Sequence, residues 1–405
     1  MPTPFLHPFA RPTSDDFVTI VRGEGAIVFD AQGRRYVDGL ASLWYCNIGH
    51  GRTEVVDAVA AQMRQLEAYQ TFDIFTNEPA ERISATLAEL APIPDARVFL
   101  VGSGSEAVDS AIKLARLAHH LRGDERHLIV SRRHAYHGVT LGGTSAQGLP
   151  PNREGFGPLL DRVQIEHDDL ADARRVFAER GSEIALVLAE PVIGSGGVYP
   201  PPPGYLSGLR ELCDEHGALL ALDEVICGFG RLGAWWGSQR YDVAPDLVTF
   251  AKGVTSGYLP LGGVLVGSAV RAPLEADPDF VLRHGHTYSG HPASCVAGLK
   301  AIEITEREGL VGRALAVGQR LADGLCRLRD DGLLSEVRGD GAMWAAMLPA
   351  RMSAIDVRAA LLERGVIARP HGTDGLIFCP PLVIADVDLD HCVEALGEAV
   401  AAVRG

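Results

Sequence analysis

Two spacings of apolar residues alternate along this chain. Arg97 to Val101, Leu128 to Val130, Ile184 to Ala189, Leu219 to Leu222 and Leu247 to Phe250 are short apolar runs bounded by glycine, proline or charged residues. Runs of this kind suit strands buried on both faces of a parallel sheet. Between them, Ser105 to Leu121, about Leu170 to Glu179, and Tyr205 to His216 read as helices, the first with Ser105 as its N-cap. This rhythm predicts an α/β fold with a doubly wound, mostly parallel sheet. Gly262 to Val266 follows Lys252 after only the loop Gly253 to Leu261, which is too short for a parallel crossover. That strand is therefore expected to be antiparallel.

The two ends of the chain differ from this middle. Ile20-Val21, Ala26 to Phe29 and Tyr36-Val37, broken by Gly23-Glu24-Gly25 and Ala31-Gln32-Gly33, predict an antiparallel meander. A Gly-rich loop, residues 42–52, carries an exposed-looking Trp44. Thr53 to Tyr69 has Val55, Val56, Val59, Met63 and Leu66 at helical spacing, and Glu78 to Leu90 is a second helix ended by Pro92 and Pro94. Beyond about residue 290, long helices (His291 to Arg307, Arg313 to Leu328) precede strands near Ser335 to Arg338, Met343 to Met347 and Leu376 to Phe378, and a helix from about Asp388 closes the chain. We expect a segment 1–45 that packs with a small α+β domain at 291–405, and a large domain at 46–290. Residues 1–16 are expected to run as an irregular arm, and Gly142 to Phe156 as an irregular loop at the sheet's rim.

Composition narrows the function. A chain of 405 residues exceeds one ordinary core. Its 47% hydrophobic and 22% charged residues are those of a globular protein. The net charge of −15, without a basic run, argues against nucleic acid and anionic membranes as partners. No apolar stretch predicts a membrane span, and the N-terminus has no secretory pattern. Seven scattered cysteines lack metal-ligand spacing, so no metal site is expected and a reducing cytoplasm fits. Cys227 reads as a small core filler.

The chemistry gathers at strand ends, where open α/β sheets bind ligands. One run ends on Asp223, another on Ala251-Lys252-Gly253. The pair reads either as an ion pair between loops or as a pyridoxal phosphate site, in which the amine takes the aldehyde and the carboxylate serves the pyridine nitrogen. The other strand ends bear on that choice. Arg97 to Val101 runs into GSGSEA, whose small residues open a helix and suit a phosphate. Leu128 to Val130 runs to Tyr136 and His137, and Ile184 to Ala189 to Glu190. Val225, two residues after Asp223, can pack a ring face opposite Tyr136.

These segments, read with RGEGAIVFDAQGRRYVDGLASLWYCNIGHG, LDEVICGFGRLG, FAKGVTSGYLPLGGVLV, HTYSGHPASC and IARPHGTDGLIFCPPL, resemble the class III pyridoxal phosphate aminotransferases, in particular the ω-transaminases of the amine:pyruvate kind. The resemblance covers nearly the whole chain. It implies fold type I: a large domain around a mostly parallel seven-stranded sheet, plus a small α+β domain. It implies Lys252 as the catalytic lysine that binds the cofactor, Asp223 as partner of the pyridine nitrogen, and Gly104 and Ser105 as phosphate ligands. Thr287 would reach the phosphate from the other subunit of a homodimer, which a tetramer could contain. Tyr136 and Val225 would pack the ring, Glu190 would lie near its hydroxyl side, and His137 would support Asp223. Trp44, Phe72 and Tyr136 would line an apolar substrate pocket. Arg369 matches a mobile arginine for the keto acid carboxylate, and Arg231 is a second candidate. The implied reaction is ping-pong transfer from an amine or ω-amino acid to a keto acid such as pyruvate. An aminomutase or a decarboxylating transaminase on the same scaffold is the alternative.

Overall fold

The computed structural model describes residues 4–404. Residues 1–3 of the expected arm lie outside them, and the arm that follows is irregular to residue 16. The predicted meander forms from β1 (Ile20–Glu24), β2 (Ile27–Asp30) and β3 (Arg35–Asp38). The central strands are β4 (Arg97–Val101), β5 (Leu128–Arg132), β6 (Arg162–Ile165), β7 (Ile184–Ala189), β8 (Leu219–Asp223), β9 (Leu247–Phe250) and β10 (Gly262–Val266). They make one seven-stranded sheet in the order β4-β10-β9-β8-β7-β5-β6. β10 is antiparallel to both neighbours, as the short loop before it dictates. The remaining pairs are parallel. The two reversals around β10 cancel, so β4 points the same way as β9 and its carboxyl end reaches the same edge.

Side chains of β5 alternate between faces, as a strand's period requires. Ile129 packs with the helix Gly104–Leu121 on one side, while Leu128 and Val130 pack with Leu170–Arg180 and Tyr205–His216 on the other. The N-cap is Ser103 and not the expected Ser105: Ser103, in extended backbone, accepts from the Glu106 N–H, and Ser105 lies inside the helix. β6 was not expected; its sequence, Arg-Val-Gln-Ile, is half-buried at the sheet's edge and lacks a full apolar run. Part of the expected irregular rim is instead the buried helix Leu141–Ala146 and a single turn at Pro150–Asn152. Its glycines serve close packing. A Cβ on Gly143 would stand 2.2 Å from the His137 carbonyl oxygen, and the Gly143 N–H donates to Asp109 Oδ1 (2.9 Å).

The C-terminal strands are β11 (Glu336–Asp340), β12 (Met343–Met347), β13 (Val366–Ile367), β14 (Arg369–His371) and β15 (Gly375–Phe378). One sheet has the order β11-β12-β15-β14, while β13 joins the N-terminal meander, parallel to β3. A single core therefore mixes Ala26, Val37 and Ile48 with Val317, Leu361, Phe378 and Leu396. The helices Ser268–Glu275 and Ala354–Glu363 also went unanticipated; Ser353 caps the second by accepting from the Asp356 N–H. The first long helix of the amphipathic pair ends at Gln65, short of Tyr69, and its stripe is only partly covered: Val55 is buried, while Val56 and Met63 stand exposed.

Gly318 tests how far packing overrides propensity. In the middle of the helix Leu310–Asp330, alanine would be favoured by about 1 kcal/mol. Yet a Cβ there would lie 1.8 Å from the Gly341 carbonyl oxygen in the β11–β12 turn. Gly318→Ala is expected to destabilise by about 1–3 kcal/mol through overpacking, and thermal unfolding will show a lower midpoint. A raised midpoint would mean that the helix and turn can separate freely.

Candidate functional site

The carboxyl ends of the strands open into a cleft of about 970 Å³ whose lining includes Gly104, Ser105, Tyr136, His137, Glu190, Asp223, Val225 and Lys252. The expected residues from four adjacent strands, β9, β8, β7 and β5, follow one another along it in spatial order: Lys252, Asp223, Glu190, then Tyr136 and His137.

Asp223 ends β8 and is buried. His137 Nδ1–H donates to its Oδ2 (2.8 Å), and the Val225 N–H donates to Oδ1 (3.1 Å). The carboxylate is thus fixed in orientation from two sides. Glu190, also buried, accepts from the Tyr136 N–H (3.1 Å) and the Gly194 N–H (2.9 Å). Burial still raises its pKa above the usual carboxylate range.

Lys252 follows β9 at the start of a short turn, with φ +46°, a conformation that costs a non-glycine residue energy and is common at functional sites. Its amine makes no hydrogen bond or ion pair among the described residues and stands 5.2 Å from the Trp44 ring centroid. Burial pushes its pKa down to about 8, against the pull of Asp223 and then Glu190 toward the charged form.

Across the cleft, Gly104 and Ser105 open the helix after β4. Backbone N–H groups in a first turn have no intrahelical acceptor, and the dipole there favours an anion. A Cβ on Gly104 would stand 3.0 Å from Val225 Cγ1, so any larger residue would push the β8 loop away. Ser105 Oγ accepts from the Val139 N–H (3.1 Å), tying this helix start to the loop that carries Tyr136.

Trp44, expected exposed, is buried. It sits in a loop with φ of +48°, +58° and +60° at Ala41, Ser42 and Trp44, held by Asp38, which accepts from the Leu40 and Ser42 N–H groups. The Arg369 guanidinium lies 4.4 Å from the centroid of the Trp44 ring. Burial lowers the pKa of Arg369, and the Tyr136 hydroxyl is the opposing influence.

Three expected residues are not brought into the cleft. Arg231 is fully buried elsewhere; it donates to the Pro380 (2.7 Å) and Ala342 (3.4 Å) carbonyls and to Asn47 Oδ1 (2.5 Å), fastening the β8 loop to the C-terminal sheet. Phe72 is exposed and packs on Gly285, and Thr287 is exposed near it. Conversely, Phe9, Phe17 and Val18 of the N-terminal arm, with Leu43, line the cleft without having been anticipated. Their only signal was aromatic and β-branched residues in an otherwise polar, Pro-rich segment.

Comparison with known proteins agrees with this geometry. Residues 9–400 match the family model described as Aminotransferase class-III. The β-alanine–pyruvate aminotransferase of Pseudomonas aeruginosa is 35% identical over 410 residues, covering 94% of this chain and 91% of that protein. A thermostable (S)-enantioselective ω-transaminase from Thermomicrobium roseum has a TM-score of 0.94 at 37% identity, over 99% of this chain and 96% of the other. An amine transaminase from an uncultivated Pseudomonas species, solved with pyridoxal phosphate bound, has a TM-score of 0.94 at 34% identity, over 99% of both chains.

The depressed pKa of Lys252 sets a pH expectation. Only the neutral amine attacks an aldehyde, and a lower pKa makes more of it at a given pH. Capture of pyridoxal 5'-phosphate by the apoprotein should rise with pH and level off above about 8, instead of climbing toward the ordinary lysine value of 10.5. Stopped-flow absorbance with borohydride trapping measures it. Lys252→Ala should abolish the trapped adduct, and an adduct that survives would place the reactive amine elsewhere.

Proposed function

The chain belongs to the class III aminotransferases, and from that premise we propose that it moves an amino group from an amine or ω-amino acid to a keto acid such as pyruvate, with pyridoxal 5'-phosphate bound in this cleft. Class III aminotransferases are pyridoxal phosphate enzymes, and the fold is that of the fold type I transaminases. The observation that carries the reading is the amine of Lys252, desolvated and without a hydrogen-bond partner among the described residues, in one cleft with the oriented Asp223–His137 pair. The division into segments 1–45, 46–290 and 291–405 is the frame we adopt for the two domains.

The residues fit the cofactor. Gly104 and Ser105 offer free backbone N–H groups and a hydroxyl to the phosphate. Tyr136 and Val225 are apolar walls for a flat ring. Asp223, held by His137, would keep a proton on the pyridine nitrogen, and Glu190, in the same lining, would serve the ring's hydroxyl side. When bound, the cofactor supplies an electron sink for the pair left on the substrate carbon. Lys252 would bind the cofactor at its aldehyde, and its amine, once freed by the substrate, would be placed to take the proton from the substrate carbon and hand it to the cofactor carbon, a task that its lowered pKa of about 8 suits. Arg369 meets the carboxylate of the keto acid, while Trp44 offers apolar surface to the amine and a ledge to the arginine.

The working unit in this reading is a homodimer with its site at the interface. Tyr69, Phe72, Ile74, Phe75, Val139 and Tyr288 are all exposed in the single chain, and large exposed apolar side chains of this kind suit an interface. Thr287 belongs to this surface and reaches the partner's cofactor phosphate. We place the protein in the cytoplasm, where its seven unpaired cysteines would stay reduced. The aminomutase and decarboxylating alternatives are not favoured, since the relatives are aminotransferases by name, two of them pyruvate aminotransferases.

A panel of amines and β- or ω-amino acids incubated with pyruvate tests the reading directly. Alanine should accumulate in step with loss of the amine, by chromatography. Product from a single amino acid without any keto acid would point to a mutase instead. Within that assay, Arg369→Ala should raise the KM for pyruvate at least tenfold, equivalent to about 1.4 kcal/mol. The half-reaction with an uncharged aromatic amine should change little. Equal losses for both substrates would make Arg369 a structural residue.

A further inference from the structure

Away from the cleft, five side chains form one line between the helix Gly104–Leu121 and the segment that carries Thr287: Lys113, His284, Ser110, His286 and Glu106. Elementary bonding rules orient the whole line. A lysine has only donors, so its Nζ, 2.9 Å from His284 Nδ1, obliges that nitrogen to accept. The His284 hydrogen therefore sits on Nε2 and goes to Ser110 Oγ (2.9 Å). The Ser110 hydrogen is left for His286 Nε2 (3.3 Å), whose Nδ1–H then faces Glu106 Oε1 at 3.7 Å. Glu106 Oε2 accepts the Gly102 N–H (2.7 Å), immediately before the helix start that lines the cleft.

Further contacts make the line rigid. Ser110 is fully buried, and His284 stacks on Phe99 with ring centroids 5.1 Å apart. Burial, with Lys113 and then His286 nearby, pushes the His284 pKa down to about 4, which keeps it in the neutral form that the bonding needs. The turn beyond is pinned separately: the Ser289 hydroxyl donates to the Leu100 carbonyl (2.7 Å). Thr287 remains exposed on this fixed turn.

We propose that this relay is a positioning device: it fixes the turn bearing Thr287, and so sets how tightly the partner subunit's cleft retains the phosphate of its cofactor. The proposal rests on the reading that Thr287 reaches that phosphate. Because Glu106, within ion-pair distance of His286, also accepts from Gly102, the line touches the phosphate-binding helix of its own subunit and the turn offered to the other. His284, Ser110 and His286 are positioning residues in this scheme and touch no reacting atom.

The test is titration of the apo dimer with pyridoxal 5'-phosphate and, separately, with pyridoxal, which lacks the phosphate. His284→Phe keeps the stacking on Phe99 and removes both hydrogen bonds. It should weaken pyridoxal phosphate at least tenfold and pyridoxal less than twofold, and His284→Gln should recover part of the loss. Lys113→Met, at the exposed end of the relay, should act in the same direction to a smaller degree; it decides the matter if His284→Phe does not fold. Thr287→Val is titrated in parallel. If it weakens the phosphate form while the relay variants do not, the relay is overturned and the reading of Thr287 stands. If neither has any effect, both fall. Equal losses of pyridoxal and its phosphate in His284→Phe would mean general damage and would also overturn the proposal.

Discussion

An amine gives up its proton at mild pH only where water is kept from it, and Lys252 is such an amine. Desolvation destabilises the charged form, and the carboxylates of Asp223 and Glu190 pull the other way. The outcome depends on placement. Were the acids closer or the burial shallower, its pKa would lie nearer the ordinary lysine value and less of the neutral amine would be present at a given pH. Much of the surrounding architecture can be understood as holding that balance: parallel strands bring the groups to one edge, and hydrogen bonds to both carboxylates stop them from collapsing onto the amine.

The sheet order explains why distant parts of the chain cooperate. β9, β8, β7 and β5 are neighbours in space, so their ends line up along one edge of the sheet. The antiparallel β10 inserts between β9 and β4, and by reversing twice leaves the helix start at Gly104 facing the same cleft. Arg231 then ties the loop after β8 to the C-terminal sheet through two carbonyls and Asn47. Its buried guanidinium acts as a rivet between two layers, whereas Arg369 is only partly buried and lines the cleft.

The central strands were legible because strands buried on both faces leave unbroken apolar runs, and the chemistry was legible because it sits directly after those runs. What escaped the sequence has physical reasons. β6 is an edge strand, half-buried, so its residues mix polar and apolar. The glycines at 142 and 143 looked like loop signals, yet they admit the close approach of a helix to Asp109 and the His137 backbone. The cap at Ser103 and not Ser105 turns on backbone angles that composition does not encode. Phe9 and Phe17 reach the cleft on an arm without periodicity. Phe72 and Thr287 face outward from the single chain, where nothing in their own sequence neighbourhood marks them as buried or exposed.

The parallel pairing of β3 with β13 has a consequence in the order of synthesis. Val37 and Asp38 leave the ribosome before the central sheet, whereas Val366 and Ile367 emerge only after all of it. At roughly 5–20 residues per second, the meander waits on the order of tens of seconds for its edge to be covered. Through that interval Val37 lacks the C-terminal helices that later bury it. The large sheet, by contrast, has every strand in hand once Val266 is out. The nascent chain thus carries a finished centre and an open end, and it is that open end on which a chaperone or a neighbouring chain can act.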